Sequence, residues 1–158
     1  MENYVNASYI NGPLPEDKDI FIATQGPVPC TVEAFWKMII LENTKLIIVL
    51  TNLQEENRNK CEQYWPSNED RPFIVGRFTI SLSTEVVILD KAVIQRNIII
   101  EDTVENIRHS VTQLHAICWP DHSAPQEEVG FKMIEIIISY VLGYRNENRE
   151  SPVVVHCR

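Results

Sequence analysis

Two short segments of the chain contain residue types that could do chemistry, and the first lies at residues 153–157. There an apolar run of three valines leads directly into His156 and Cys157. A cysteine at the carboxyl end of a buried strand lies where open α/β sheets bind ligands, and its thiolate is a nucleophile. A cysteine in such a place can also be a small buried hydrophobe with no reactivity. The spacing alone leaves both interpretations open.

The second segment is Trp119-Pro120-Asp121-His122. A proline after a bulky tryptophan stiffens a loop, so that the loop can hold a carboxylic acid in place and still move as a unit. Asp121 could therefore protonate a leaving oxygen as a general acid. An aspartate after a proline is also common in ordinary turns, which is the structural alternative.

Composition narrows the classes of function. The chain has 158 residues, 14 basic against 22 acidic side chains, and a formal net charge of -8. This balance argues against wide nucleic-acid contact, which requires a basic face, although an arginine and a loop of backbone N–H groups could still bind one phosphate. The four cysteines are widely spaced and no secretory signal precedes them, so we expect reduced thiols in a cytosolic setting. The apolar runs are too short to insert into a membrane.

Hydrophobic periodicity predicts mixed helices and strands, and hence an α/β or α+β domain around one mixed sheet. One helix is expected after Thr31 as its N-cap, and a second over about 126–142 with Gly143 just beyond it. The predicted strands are short apolar or alternating segments. They lie at 20–24, 46–50, 62–65, 73–81, 86–89, 92–100, 113–118 and 153–155.

Five ordered blocks along the chain resemble the characteristic segments of the tyrosine-specific protein-tyrosine phosphatases. The blocks are 3–10 (NYVNASYI), 21–27 (FIATQGP), 50–53 with 60–66 (LTNL and KCEQYWP), 119–121 (WPD) and 153–157 (VVVHC). The last block is similar to the start of the family signature H-C-x5-R. The resemblance implies a cysteine-phosphatase fold, in which helices flank a highly twisted mixed sheet.

The resemblance also implies a two-step hydrolysis of phosphotyrosine. Cys157 would attack phosphorus to form a cysteinyl-phosphate while Asp121 protonates the departing phenol oxygen. Asp121 would then act as base toward the water that hydrolyses the intermediate. His156 matches the family histidine that helps to keep the thiolate ionised. No metal or organic cofactor is implied, and the implied partners are proteins that contain phosphotyrosine.

Further residues are implied to bind substrate or to support the loops. Trp119 and Pro120 belong to the closing acid loop, Lys60 matches a lysine that pairs with that loop, and Glu55 lies where the family has a glutamate that orients the signature arginine. A solvated loop charge is the structural alternative for Glu55 and Lys60. Four other residues are expected to act through packing and hydrogen bonding rather than catalysis: Asn6, Gln25, Tyr64 and Trp65.

Arg158 is the last residue expected to bind substrate or support the loops, and it departs from the family pattern, which usually has a serine directly after the cysteine. This departure keeps a second hypothesis open, namely a catalytically impaired domain that binds phosphotyrosine or regulates a partner domain. We expect residues 1–158 to be a partial domain, without its N-terminal start and its C-terminal part, that has no useful activity alone. The expected location is the cytoplasm or the intracellular part of a receptor-type protein.

Overall fold

A computed structural model describes residues 4–55, 58–89, 92–119 and 127–158. The described residues form ten strands, which range from two to eleven residues, and two helices. In chain order these are β1 (Ala7–Ile10), β2 (Phe21–Thr24), α1 (Val32–Leu41), β3 (Leu46–Val49), β4 (Gln54–Glu55), β5 (Arg58–Asn59), β6 (Phe73–Val75), β7 (Phe78–Ile88), β8 (Val93–Asp102), β9 (Ile107–Ala116), α2 (Glu127–Glu147) and β10 (Val153–His156). The mixture of helices and strands confirms the predicted fold class.

The main sheet is parallel at its centre and antiparallel at its sides. Its strand order is β1-β2-β10-β3-β9-β8-β7-β6. Strand β10 pairs in parallel with β2 and β3, and β3 pairs in parallel with β9. Parallel strands are buried on both faces, which is why β3 is a continuous run of branched apolar residues and β10 begins with three valines. The last strand in the chain therefore lies in the middle of the sheet.

The two helices cover opposite faces of this sheet. Successive side chains of a strand point to opposite faces, and in β3 Ile47 packs in the cluster with Phe35 and Trp36 of α1. Its neighbour Ile48 packs instead in the cluster that contains Met133 of α2. Each central strand is therefore held by one apolar layer on each side. In the described ranges, neither helix combines the length and the apolar character that a membrane span needs.

Several predicted strand boundaries are wrong. Residues 73–81 form a hairpin of β6 and β7 rather than one strand, because the chain turns at Gly76, whose φ of +52° suits glycine. Residues 62–65 form no strand, although Tyr64 and Trp65 are buried: this segment is held by side-chain packing rather than by a ladder. Strand β1 was not among the predicted strands.

The start of α1 and the end of α2 differ in part from their predictions. Thr31 precedes α1, but its hydroxyl makes no cap bond to the helix and instead bonds with the backbone of Val28. Helix α2 continues through Gly143 to Glu147, so the expected end at residue 142 is wrong. Periodicity could not show this, because a glycine inside a helix costs only about 1 kcal/mol relative to alanine and tertiary packing overrides it.

The continued helix predicts how Gly143 responds to substitution. Apart from its chain neighbours and the nearby backbone of its own helix, an added Cβ there would meet no atom within 4 Å. Gly143→Ala should therefore raise the free energy of unfolding by about 0.5–1 kcal/mol, whereas Gly143→Pro should lower it by about 3 kcal/mol. Urea denaturation measures both. If Gly143→Ala destabilised the chain and Gly143→Pro were tolerated, the helix would end at residue 142.

Candidate active site

The end of strand β10 places Cys157 at the carboxyl edge of the parallel strands. The backbone N–H of Leu50, just after β3, donates to the His156 carbonyl at 2.9 Å. The Cys157 thiol lies beside the same strand end, with its Sγ 3.8 Å from the carbonyl oxygen of Leu50. Cys157 is exposed, while His156 is buried. Cys157 thus contacts solvent, whereas His156 lies in the core.

The segment that follows strand β2 also lies next to Cys157. Gly26, two residues beyond β2, packs so closely that an added Cβ would lie 2.6 Å from the carbonyl oxygen of Cys157 and 2.9 Å from the Sγ of Cys61. Only a glycine leaves room for this approach. The ends of β2, β3 and β10 therefore converge on the Cys157 backbone.

The buried side chain of His156 makes a hydrogen bond to the Cys157 backbone. Its Nδ1 lies 2.9 Å from the Cys157 carbonyl oxygen, and its Nε2 lies 2.7 Å from the hydroxyl of Tyr64. A carbonyl can only accept, so Nδ1 carries the proton and Nε2 accepts from Tyr64. Burial lowers the pKa of His156 from 6.5 to about 4, against a smaller rise from the bond to Cys157. The ring is therefore neutral at pH 7.

A buried polar network extends from Tyr64 into the sheet. Gln113 of β9 donates from Nε2 to the Tyr64 hydroxyl at 3.1 Å, and its Oε1 accepts from Arg96 of β8 at 2.9 Å. The same guanidinium nitrogen lies 3.2 Å from Nδ1 of His115, whose Nε2 donates to the Thr51 carbonyl at 2.8 Å. Every polar side chain of this network has a partner, as burial requires.

Arg96 is the charged centre of the network. Its Nε donates to Glu85 at 2.6 Å, and its guanidinium stacks on Trp65 with the Cζ 4.8 Å from the ring centroid. Burial lowers the pKa of Arg96, and the neighbouring Glu85 opposes that shift. For His115, burial lowers the pKa from 6.5 to about 4. The network therefore contains one buried cation and two neutral imidazoles.

Only some of the predicted site residues lie in the described ranges, and their surroundings differ. Besides His156 and Cys157, Trp119 is half-buried and packs with the cluster on the α2 face. Lys60 is half-buried, and its backbone N–H donates to the Leu53 carbonyl at 2.8 Å. Arg158 is exposed beside Cys157.

The acid-loop prediction, with Pro120 and Asp121, lies outside the described residues. Glu55 ends strand β4, and its side chain also lies outside the description.

Sequence reasoning missed Arg96, Gln113 and His115. A signal was present, because Arg96 is in phase with Ile98 along β8, and both Gln113 and His115 are in phase with Val111 along β9. These polar side chains thus occupy positions that alternation assigns to the core. Tyr64 was expected to be structural, and its hydroxyl proves to bond directly with the catalytic candidate His156.

Fold and site together define an α/β domain with a cysteine presented at the carboxyl edge of its central parallel strands. The family profile described as protein-tyrosine phosphatase matches residues 1–158. The chain therefore belongs to the protein-tyrosine phosphatase family, which confirms the resemblance of its sequence blocks.

Curated relatives agree over nearly the whole chain. Receptor-type tyrosine-protein phosphatase eta of Gallus gallus is 36% identical over 99% of this chain, and tyrosine-protein phosphatase 2 of Dictyostelium discoideum is 32% identical over 99%. The matched region is 10% of the first relative and 38% of the second. The chain therefore covers less than half of the length of each of these curated relatives.

Solved structures show the same fold. The catalytic domain of human protein tyrosine phosphatase non-receptor type 18 superposes with a TM-score of 0.81 at 28% identity, covering 98% of this chain and 52% of that chain. A structure of PTPN18 with HER2 phosphopeptides gives a TM-score of 0.81 at 28% identity, covering 98% of this chain and 54% of that one.

The neutral, buried imidazoles predict a pH dependence of stability. The folded pKa of His156, about 4, lies below the ordinary 6.5, so the folded state binds fewer protons. Its contribution is therefore present above pH 6.5 and is lost as the pH falls toward 4. Removing the ring in His156→Asn should cost stability at pH 7 and weaken this dependence.

Urea denaturation of the wild type and His156→Asn at several pH values measures the effect. The gap between their unfolding free energies should shrink by on the order of 2 kcal/mol between pH 7 and pH 4.5. A gap that stays constant over this range would show that His156 does not titrate with a depressed pKa.

Proposed function

We propose that this chain is part of a phosphatase that hydrolyses phosphotyrosine through a cysteinyl-phosphate. The Cys157 thiolate attacks phosphorus, the S–P bond forms, and the P–O bond to the phenol breaks as Asp121 gives that oxygen its proton. In the second step Asp121 takes a proton from water, whose oxygen bonds to phosphorus while the S–P bond breaks. Inorganic phosphate leaves and the thiolate is restored.

The observation that carries this proposal is the position of Cys157 within a domain of this family. The thiol is exposed at the carboxyl edge of the central parallel strands, and the next residue inward is a buried histidine. Ligands of open α/β sheets bind at this edge. Cys61 is enclosed, and Cys30, although exposed, precedes helix α1 rather than ending a central strand, so Cys157 is distinguished by its place in the sheet.

His156 supports the nucleophile through hydrogen bonds rather than charge. Its pKa of about 4 makes the ring neutral at pH 7, so it cannot attract the thiolate as a cation. It acts instead through its Nδ1–H, which fixes the Cys157 carbonyl at 2.9 Å and thereby the backbone from which the thiol projects.

The remaining assignments complete the proposed site. Asp121 is the acid and base, and Trp119 and Pro120 carry it on the closing loop. Lys60, Glu55 and Arg158 support the loops or the substrate. Residues 1–158 form part of a catalytic domain, since the match covers 52% of a solved catalytic domain.

The proposed substrates are proteins that contain phosphotyrosine. The HER2 phosphopeptides bound by PTPN18, a structural neighbour, support this class of ligand. The net charge of -8 disfavours nucleic acid as a partner. The receptor-type and other relatives support a location in the cytoplasm or on the intracellular side of a receptor.

Turnover of a phosphotyrosine peptide by a chain that contains the whole catalytic domain tests the proposal. Cys157→Ser should abolish turnover because it removes the nucleophile. Asp121→Ala should lower kcat by about 10²–10⁴-fold, the usual contribution of general acid catalysis, while peptide binding is kept. Steady-state kinetics and a peptide-binding titration separate the two effects.

Two matched variants serve as controls. Cys30→Ser changes another exposed cysteine, and Asp70→Ala removes an exposed aspartate in a different part of the chain, so both should leave turnover unchanged. Full turnover by Asp121→Ala would remove Asp121 from the mechanism. Peptide binding by the wild type without any turnover would favour the impaired, phosphotyrosine-binding alternative.

A further inference from the structure

A chain of hydrogen bonds connects Arg96 to the backbone of Cys157, and in every bond the donor is the group nearer to Arg96. A guanidinium only donates, so Arg96 Nη1 gives an N–H to Gln113 Oε1 at 2.9 Å. With that oxygen occupied, Gln113 Nε2 donates to the Tyr64 hydroxyl oxygen at 3.1 Å. The Tyr64 proton then points to Nε2 of His156 at 2.7 Å, and the His156 Nδ1–H points to the Cys157 carbonyl. Each donor faces the cysteine.

The second hydrogen of the same Arg96 nitrogen starts another branch. It points to Nδ1 of His115 at 3.2 Å, and the Nε2–H of His115 donates to the Thr51 carbonyl at 2.8 Å. The two imidazoles are therefore opposite tautomers, His156 with its proton on Nδ1 and His115 with its proton on Nε2. Both branches end on backbone carbonyls just beyond neighbouring parallel strands, β10 and β3.

We propose that Arg96 and Gln113 are positioning residues that fix the ring protons of His156 and His115, and through them the backbone at Cys157 and Thr51. A neutral imidazole can place its proton on either nitrogen. In the other tautomer, the Nδ1 lone pair of His156 would face the lone pairs of the Cys157 carbonyl. The hydrogen bonds from Arg96 through Gln113 and Tyr64 to His156 form a relay. The relay excludes the other tautomer because Nε2 of His156 already accepts the Tyr64 proton.

The composition of the network supports a directing role over simple filling of the core. Burying a guanidinium costs several kcal/mol of desolvation, and well-packed apolar side chains often stabilise such a place at least as well. Arg96 nevertheless lies there with its charge partner Glu85 at the partly exposed end. In a chain of hydrogen bonds each donor polarises the next, so the charge of Arg96 strengthens the bond to Cys157.

The inference rests on the proposed function only in that Cys157 is taken as the nucleophile. Nitrogen-detected NMR of the 158-residue chain, labelled with ¹⁵N-histidine, tests the relay without any turnover. At pH 7 the wild type should show a protonated Nδ1 with a bare Nε2 in His156, and the reverse in His115. A protonated Nε2 in His156 would overturn the proposal.

Gln113→Glu tests the direction of the relay. The new carboxylate beside Arg96 stays ionised and can only accept, so Tyr64 should turn its proton toward residue 113. His156 must then donate from Nε2 to the Tyr64 oxygen, and its Nε2 signal should change to the protonated type at pH 7. An unchanged Nε2 signal in a folded variant would overturn the proposal.

Gln95→Glu is the matched control. Gln95 lies on the same sheet and accepts a hydrogen bond from the Tyr140 hydroxyl at 2.6 Å, which a carboxylate can still accept. This variant adds the same charge off the relay, so His156 should keep its wild-type signals. An equal shift in both variants would contradict the relay, since added charge alone would then be the cause. If Gln113→Glu does not fold, the wild-type spectrum decides by itself, and all these readouts are independent of phosphatase activity.

Discussion

The parallel pairing of β10 between β2 and β3 is the constraint on which the site depends. It makes the last strand in the chain a central strand, so Cys157 leaves the sheet where two neighbouring strands also end. The bond from the Leu50 N–H to the His156 carbonyl and the close approach of Gly26 follow from that pairing. A cysteine on an edge strand would have none of these contacts.

The polar network is the second layer of this arrangement. The sheet could have been apolar throughout on the α1 face, where Ile98, Ile100 and Val111 already are. Polar side chains interrupt that apolar surface at three positions, Arg96, Gln113 and His115. The ring of Trp65 packs against the Arg96 guanidinium. Because every member is hydrogen-bonded, the cost of burial is offset and the geometry becomes specific.

The sequence predicted the central strands and the family because these depend on local patterns. The runs in β3 and β10 are short, branched and apolar, which is typical of strands buried on both faces. The hairpin at Gly76 and the end of α2 were set wrongly, because one glycine turns the chain and the other is tolerated in a helix. Local pattern does not distinguish the two.

The network was beyond prediction for a different reason. Tyr64 and His156 are 92 residues apart in sequence, and they meet only because β10 inserts beside β3. Arg96 and Gln113 meet because the antiparallel register of β8 and β9 places them opposite each other. Alternation could mark these side chains as buried and polar, but not as partners.

Trapping the covalent intermediate tests the central claim most directly. A chain that contains the whole catalytic domain would be mixed with a ³²P-labelled phosphotyrosine peptide, quenched within one turnover, digested and analysed by mass spectrometry. Phosphate attached to the Cys157 sulfur is the result that this account predicts. Turnover with phosphate on another residue, or with no phosphoenzyme, would contradict it.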